Sequence, residues 1–146
     1  MSKEKKAEIM REFIKSMEEH DLDKAVSLCT EDFEWLTPMK LFKGEEGLRT
    51  FFKWLTETVK NFKVTESGLG IIVDGDKAFF EHIMSGEMQG EKVSFLAICT
   101  YEFSGDKIKT SRTVYDRLAI AEQASSQWLP KKLVNTIITQ MQKGLD

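Results

Sequence analysis

Cysteine and histidine are scarce in this sequence, at two residues each. Cys29 and Cys99 cannot build the disulfide framework of a small secreted scaffold, and both read as reduced thiols of a cytoplasmic protein. His20 and His82 stand far apart, with no His-x-His and no Cys pair, so no metal-ligand cluster is expected. No apolar run approaches the about 20 residues that cross a bilayer. The opening MSKEKKAEIM carries basic residues without the apolar stretch of a secretory signal. The formal net charge is only −3 and no basic stripe occurs, which removes nucleic acid and polyanionic surfaces from the expected partners. Gly68-Leu69-Gly70 lacks the further glycine, the Lys-Ser/Thr pair and the helix start of a phosphate loop. The expectation is a protein without cofactor, metal or membrane.

What is present suffices for a single folded domain. The chain has 146 residues, 41% of them hydrophobic, enough for a genuine core. Met10, Phe13, Ile14 and Met17 follow helical spacing between Glu4 and His20. Asp21-Leu22-Asp23 breaks that helix, and Asp23 is the expected cap of a short second one carrying Ala25, Val26 and Cys29. Phe33 to Thr37 alternates as a strand that stops at Pro38. Gly44 to Asn61 returns to helical spacing through Leu48, Phe51, Phe52, Leu55 and Val59. Lys63 to Val73 reads as a strand, bent or bulged at Gly68 and Gly70. Asp116 to Ser126 reads as a short helical or irregular exit. After Pro130, Leu133, Val134, Ile137, Ile138 and Met141 form an apolar stripe. That stripe is expected to pack on its own domain or on a partner subunit. The division predicted is a domain over 1–126 and a tail helix over 127–146. Helices first and antiparallel strands afterwards make an α+β arrangement.

Lys77 to Tyr115 is the most informative stretch. It reads as three strands joined at Met88-Gln89-Gly90 and Ser104-Gly105-Asp106. Side chains alternate faces along a strand. One face therefore gathers Phe80, His82 and Met84, then Phe95, Ala97, Cys99 and Tyr101, then Ser111, Thr113 and Tyr115. An imidazole and a run of hydroxyls among apolar groups point to a cavity wall rather than a plain core. This face carries no Asp, Glu, Lys or Arg. The opposite face keeps Leu96, Ile98, Ile108 and Val114, which if bare would exceed the apolar patch soluble monomers usually show, so a homodimer is expected.

The order of elements carries a resemblance. Asp21-Leu22-Asp23 after the first helix, the Trp35 to Pro38 strand followed by Lys43-Gly44, and the ending Asp106-Lys107-Ile108 … Tyr115-Asp116-Arg117 together resemble the nuclear-transport-factor-2-like superfamily, specifically its SnoaL-like and ketosteroid-isomerase-like branch. The resemblance covers about residues 4–120; those after Ser126 lie outside it. It implies a cystatin-like cone, with N-terminal helices packed in the concave face of a strongly curved, mainly antiparallel sheet around a pocket. Carried over by position, the isomerase tyrosine falls on Phe13, its base on Thr37 and its protonated Asp on Cys99. None of the three can take over the role it replaces. The pocket acid that polyketide cyclases of this branch place on the last strand is likewise absent from Ser111, Thr113 and Tyr115. The Asp–Arg–Asp set of the fold's epoxide hydrolases fails too, because Arg112 faces away from the pocket. Scytalone dehydratase, which combines His, Tyr and hydroxyl groups, resembles this chain better in pocket chemistry.

His82 is the one proton-transfer group near neutral pH on the expected lining. The readings left open are ligand anchor, general base or satisfied interior histidine. Phe13, Trp35, Thr37, Phe80 and Met84 are the expected apolar and mouth contacts, with Cys99, Tyr101, Thr113 and Tyr115 beside them. The first functional reading is a domain that binds a small apolar or aromatic molecule. The alternatives are an isomerase, dehydratase or cyclase using His82 as base, and a dimeric interaction module with a vestigial pocket.

Overall fold

The computed structural model describes residues 2–125 and 128–144. Among these residues five helices and six strands run in the order α1 Lys3–Glu18, α2 Leu22–Ser27, β1 Cys29–Leu36, β2 Leu41–Lys43, α3 Gly44–Thr58, β3 Lys60–Asp74, β4 Lys77–Met88, β5 Glu91–Ser104, β6 Lys107–Tyr115, α4 Arg117–Ala124 and α5 Trp128–Gln142. The strands form one curved sheet in the order β2-β1-β6-β5-β4-β3. Among the described residues only the β1–β6 pair is parallel. This is the expected α+β architecture.

Helix α1 begins at Ser2, whose hydroxyl accepts the Lys5 amide at 3.2 Å. Its stripe of Ile9, Met10, Phe13, Ile14 and Met17 is buried, and each such side chain contributes roughly 1.5–3 kcal/mol by leaving water. Lys6 is buried beside the stripe. Its ammonium donates to the Gly75 carbonyl at 2.6 Å and to Asp76 Oδ1 at 2.7 Å, with the Phe103 ring 5.5 Å away. A charge taken out of water is tolerated because it is both paired and hydrogen-bonded, and it pins α1 to the β3–β4 turn. Helix α2 is capped by Asp21, which accepts the Lys24 amide at 3.0 Å. The expected cap, Asp23, instead lies within its first turn. An apolar α3 stripe of Leu48, Phe51, Phe52 and Leu55 closes the other side of the concave face.

The long hairpins are set by their turns. Gln89 and Gly90 both take positive φ, +54° and +84°, the two-residue geometry whose twist matches the flanking strands. In β3 the pairing with β4 slips between Glu66 and Ile71, across Gly68 and Gly70 with φ of +54° and +60°. The slip gives the sheet its bend there.

On β4 to β6 burial alternates as strand parity requires. One expectation is overturned: Ile108 is a fully buried core residue, not part of the outer face. The β5–β6 register shifts between Glu102 and Phe103, and a shift of one residue moves the side chains beyond it to the opposite face. Strand β2, three residues paired with Glu34–Leu36, carries no sequence pattern of its own. Helix α5 packs on α4, with Leu133, Ile137 and Met141 exposed. The expected boundary at Ser126–Gln127 lies outside the described residues.

Candidate functional site

A cavity of about 290 Å³ opens between the concave face and helices α3 and α4, at the lower end of the ~300–1,000 Å³ typical of small-molecule sites. Its aromatic wall is Trp35, Phe51, Trp54, Phe62, Phe95 and Tyr115. Trp35 and Phe51 meet at 4.5 Å between ring centroids and Phe95 and Tyr115 at 5.3 Å. Four of the seven methionines, Met17, Met39, Met84 and Met88, supply much of the remainder. Such unbranched, polarisable side chains adapt to irregular shapes.

Helix α4 forms the outer cover through Ile120, Ala121 and Ala124. Its start is capped locally and its far end is tied to the sheet. Asp116 Oδ1 accepts the amides of Leu118 and Ala119 at 2.8 and 3.2 Å, and Gln123 Oε1 accepts the Ser94 amide of β5 at 2.8 Å. The Asp116 carboxylate is thus occupied as a helix cap.

The structure divides the expected site residues into two groups. Trp35, Thr37, Met84, Thr113 and Tyr115 line the cavity, with Phe95 beside them. Phe80, His82, Cys99 and Tyr101 share the same face of the sheet but lie outside the lining, buried in the core under α1, and Phe13 is an α1 side chain in that core, also outside the lining. Thr37 is on the wall yet engaged: its hydroxyl donates to the Lys40 carbonyl and accepts the Met39 and Lys40 amides, closing the β1–β2 turn.

A chain of polar contacts joins the two groups. Trp35 Nε1 donates to Thr113 Oγ1 at 2.8 Å. Thr113 Oγ1 lies 3.1 Å from Cys99 Sγ, and that sulfur 3.9 Å from His82 Nε2. His82 Nδ1 faces the Phe80 carbonyl at 3.3 Å. A carbonyl only accepts, so Nδ1 carries the hydrogen and Nε2 is the acceptor. Every donor then points the same way, from the indole inward. His82 is fully buried and stacked on Phe80 at 4.3 Å. Burial pushes its pKa down, partly offset by the Phe80 carbonyl. The ring is neutral at physiological pH. Burial likewise raises the Cys99 thiol to about 11 and holds the Tyr101 phenol well above its ordinary value.

The open polar groups on the wall are few. Tyr115 Oη and Trp54 Nε1 have no hydrogen-bond partner among the described residues. Burial raises the Tyr115 pKa while Arg117 lowers it, which leaves a neutral phenol that donates. Among the described residues, Arg117 is the single charged residue of the lining. The strand pattern stops at Tyr115 and so misses it, although Arg117 continues the parity of Thr113 and Tyr115. Helix α4 is also hard to foresee as a wall, because Leu118, Ala119, Ile120 and Ala121 run consecutively and leave no one-sided stripe. Among the described residues no group of three or more His, Cys, Asp or Glu gathers to hold a metal, and no helix is long and apolar enough to cross a membrane.

Comparison with known structures places this geometry in a familiar frame. A candidate SnoaL-like polyketide cyclase from Shewanella denitrificans superposes with a TM-score of 0.74 at 14% identity, covering 84% of this chain and 98% of that one. TerC, co-crystallised with polyporic acid, gives 0.74 at 14% identity over 84% and 99%. A ketosteroid-isomerase-like protein from Catenulispora acidiphila in complex with trimethylamine gives 0.73 at 15% identity over 80% and 92%. At these identities the likeness establishes the fold. No curated protein matches the sequence. The SnoaL-like domain family matches residues 10–110, more than half of the chain, and the protein belongs to that family.

Proposed function

We propose that this protein binds a small, flat, largely apolar molecule in the cavity beneath α4. The observation that carries the reading is the wall itself: six aromatic rings and four methionines around a space with a handful of open donors. Area comes from the rings, and orientation from Tyr115 and Trp54, the usual division of labour in a ligand site. Polyporic acid and trimethylamine, found with proteins of the same fold, are small molecules of the size such a cavity takes. His82 acts here as the far end of the Trp35–Thr113–Cys99 chain, holding the orientation of Thr113. As a general base it would need to reach a substrate through the Cys99 thiol and the Thr113 hydroxyl, both far weaker acids than imidazolium.

Trp35 and Trp54 on the wall make their own fluorescence the readout. Titration with flat aromatic and polyketide-like compounds is expected to change it saturably, and Ala121→Phe, which fills the space from α4, is expected to abolish the response. A nucleotide that binds tightly while the aromatic set gives nothing would refute the proposal.

Two accompanying proposals concern the rest of the molecule. The convex face carries Leu96 and Val114, 50% and 66% exposed, with Ile98 opposite Val114, and is assigned to a homodimer. Light scattering that finds only a ~17 kDa species at high micromolar concentration rejects it. The cytoplasm is the assigned compartment, consistent with two free buried thiols.

A further inference from the structure

Arg117 is the feature that an uncharged ligand leaves unexplained. It stands in the first turn of α4 at the edge of the cavity. Its guanidinium offers five N–H donors in a rigid fork suited to a carboxylate. The structure uses one of them, in a 3.4 Å contact to the Pro38 carbonyl. No carboxylate of the described residues pairs with it, nor with Arg112 on the opposite face of β6, whereas Arg11 pairs with Glu66 and Arg49 with Glu45. The nearest acid in sequence, Asp116, is turned away to cap the helix. Next to Arg117 the Tyr115 hydroxyl also stands without a partner, and the two are close enough for the Arg117 charge to act on the phenol. Deeper in, the remaining lining is uncharged. A polyphosphate would bring more charge than one guanidinium meets, and burying its excess in the apolar interior is costly.

We propose that the ligand is an aromatic monocarboxylic acid, its ring system seated among Trp35, Phe51 and Phe95 and its carboxylate held at the mouth by Arg117 and the Tyr115 hydroxyl. The proposal rests on the binding reading above and narrows it to a chemical class. The anion stays at the rim, where water still reaches it, so its desolvation cost is small while the guanidinium supplies a charge-assisted pair.

The test is a matched set of probes: naphthoic acid, its methyl ester and the corresponding naphthalenemethanol, titrated against the wild type, Arg117→Gln and Arg112→Gln. Arg112 lies on the opposite face of β6 and serves as the charge-matched control. The acid is expected to bind the wild type and Arg112→Gln about tenfold more tightly than the alcohol or ester, as for an exposed charge-assisted hydrogen bond. That preference is expected to vanish in Arg117→Gln, and the affinity of the acid alone to fall as salt is raised. If the alcohol and ester bind the wild type as tightly as the acid, the inference is overturned and the apolar-cavity reading stands. If the preference survives in Arg117→Gln, Arg117 is not the anchor and the inference is again overturned. If none of the three probes binds, both readings fall. The acid-to-alcohol ratio and its salt dependence in the wild type decide the matter even if a variant folds poorly.

Discussion

The concave face of β4, β5 and β6 is one surface with two fates. Toward Ala78, Phe80 and Tyr101 it is filled solid by α1. Toward Met84, Phe95 and Tyr115 it is left hollow under α3 and α4. The same strands, the same parity and much the same residue types serve both ends. What differs is the covering helix. Helix α1 sends large side chains, Met10, Phe13 and Ile14, down onto the sheet, whereas α4 faces it across the cavity with Ile120 and the small Ala121 and Ala124. Whether a sheet face becomes core or cavity is therefore decided from across the gap.

The largest expected effect comes from truncating the filled end. Phe13 is fully buried, with edge contacts to Phe33 and Trp35 at 6.0 Å each. Phe13→Ala is expected to cost about 3–5 kcal/mol, as deletion of a fully packed ring does, measured by urea denaturation. The same truncation at the hollow end, Phe95→Ala, removes a half-buried ring whose space merges with an existing cavity. A loss of about 1–2 kcal/mol is expected there. Equal losses at the two positions would break the contrast between filled and hollow ends.

A pH experiment sharpens it. Burial holds the folded pKa of His82 below its ordinary 6.5, so the unfolded chain takes up the proton first as pH falls. Stability is then complete above pH 6.5 and declines below it, with a slope of at most about 1.4 kcal/mol per pH unit. His82→Gln is expected to be less stable at pH 8 by about 1–2 kcal/mol, for the lost hydrogen bond and packing. It is also expected to lose this decline between pH 6.5 and 5. A wild-type stability that stays level down to pH 5 would mean that His82 is solvated.

The smallest effect belongs to the tail. Leu133→Lys on the exposed stripe of α5 is expected to change stability by no more than about 0.5 kcal/mol. A larger loss in the same denaturation experiment would show that another surface covers that stripe in solution.

Much of this contrast is invisible in the sequence, for definite reasons. Alternation states which face a side chain takes, and it places Phe80, His82, Cys99, Thr113 and Tyr115 together without ambiguity. It says nothing of how far along the strand the covering helix extends. His82 and Met84, two residues apart on β4, are therefore indistinguishable by pattern, although one belongs to the core and the other to the cavity. Ile108 escapes because a bulge has no mark except the slipped register itself. Arg117 escapes because parity reaches only to the end of the strand, and the wall continues into the helix beyond it. The fold, by contrast, is legible from its turns. Gln89-Gly90 and Gly105-Asp106 fix the β4–β5 and β5–β6 hairpins, and with them which strands are neighbours.

The placement of the two thiols has a practical consequence. Cys29 on β1 and Cys99 on β5 are both buried, with pKa values pushed up to about 12 and 11. At neutral pH neither forms the thiolate that attacks a disulfide reagent. Modification must wait until the packed end of the sheet opens, so the labelling rate of the native protein counts those openings. The protein thus carries its own clock for the closed end, one residue away along the hydrogen-bond chain from the cavity wall. A cavity ligand slows that clock only to the extent that it stabilises the whole sheet.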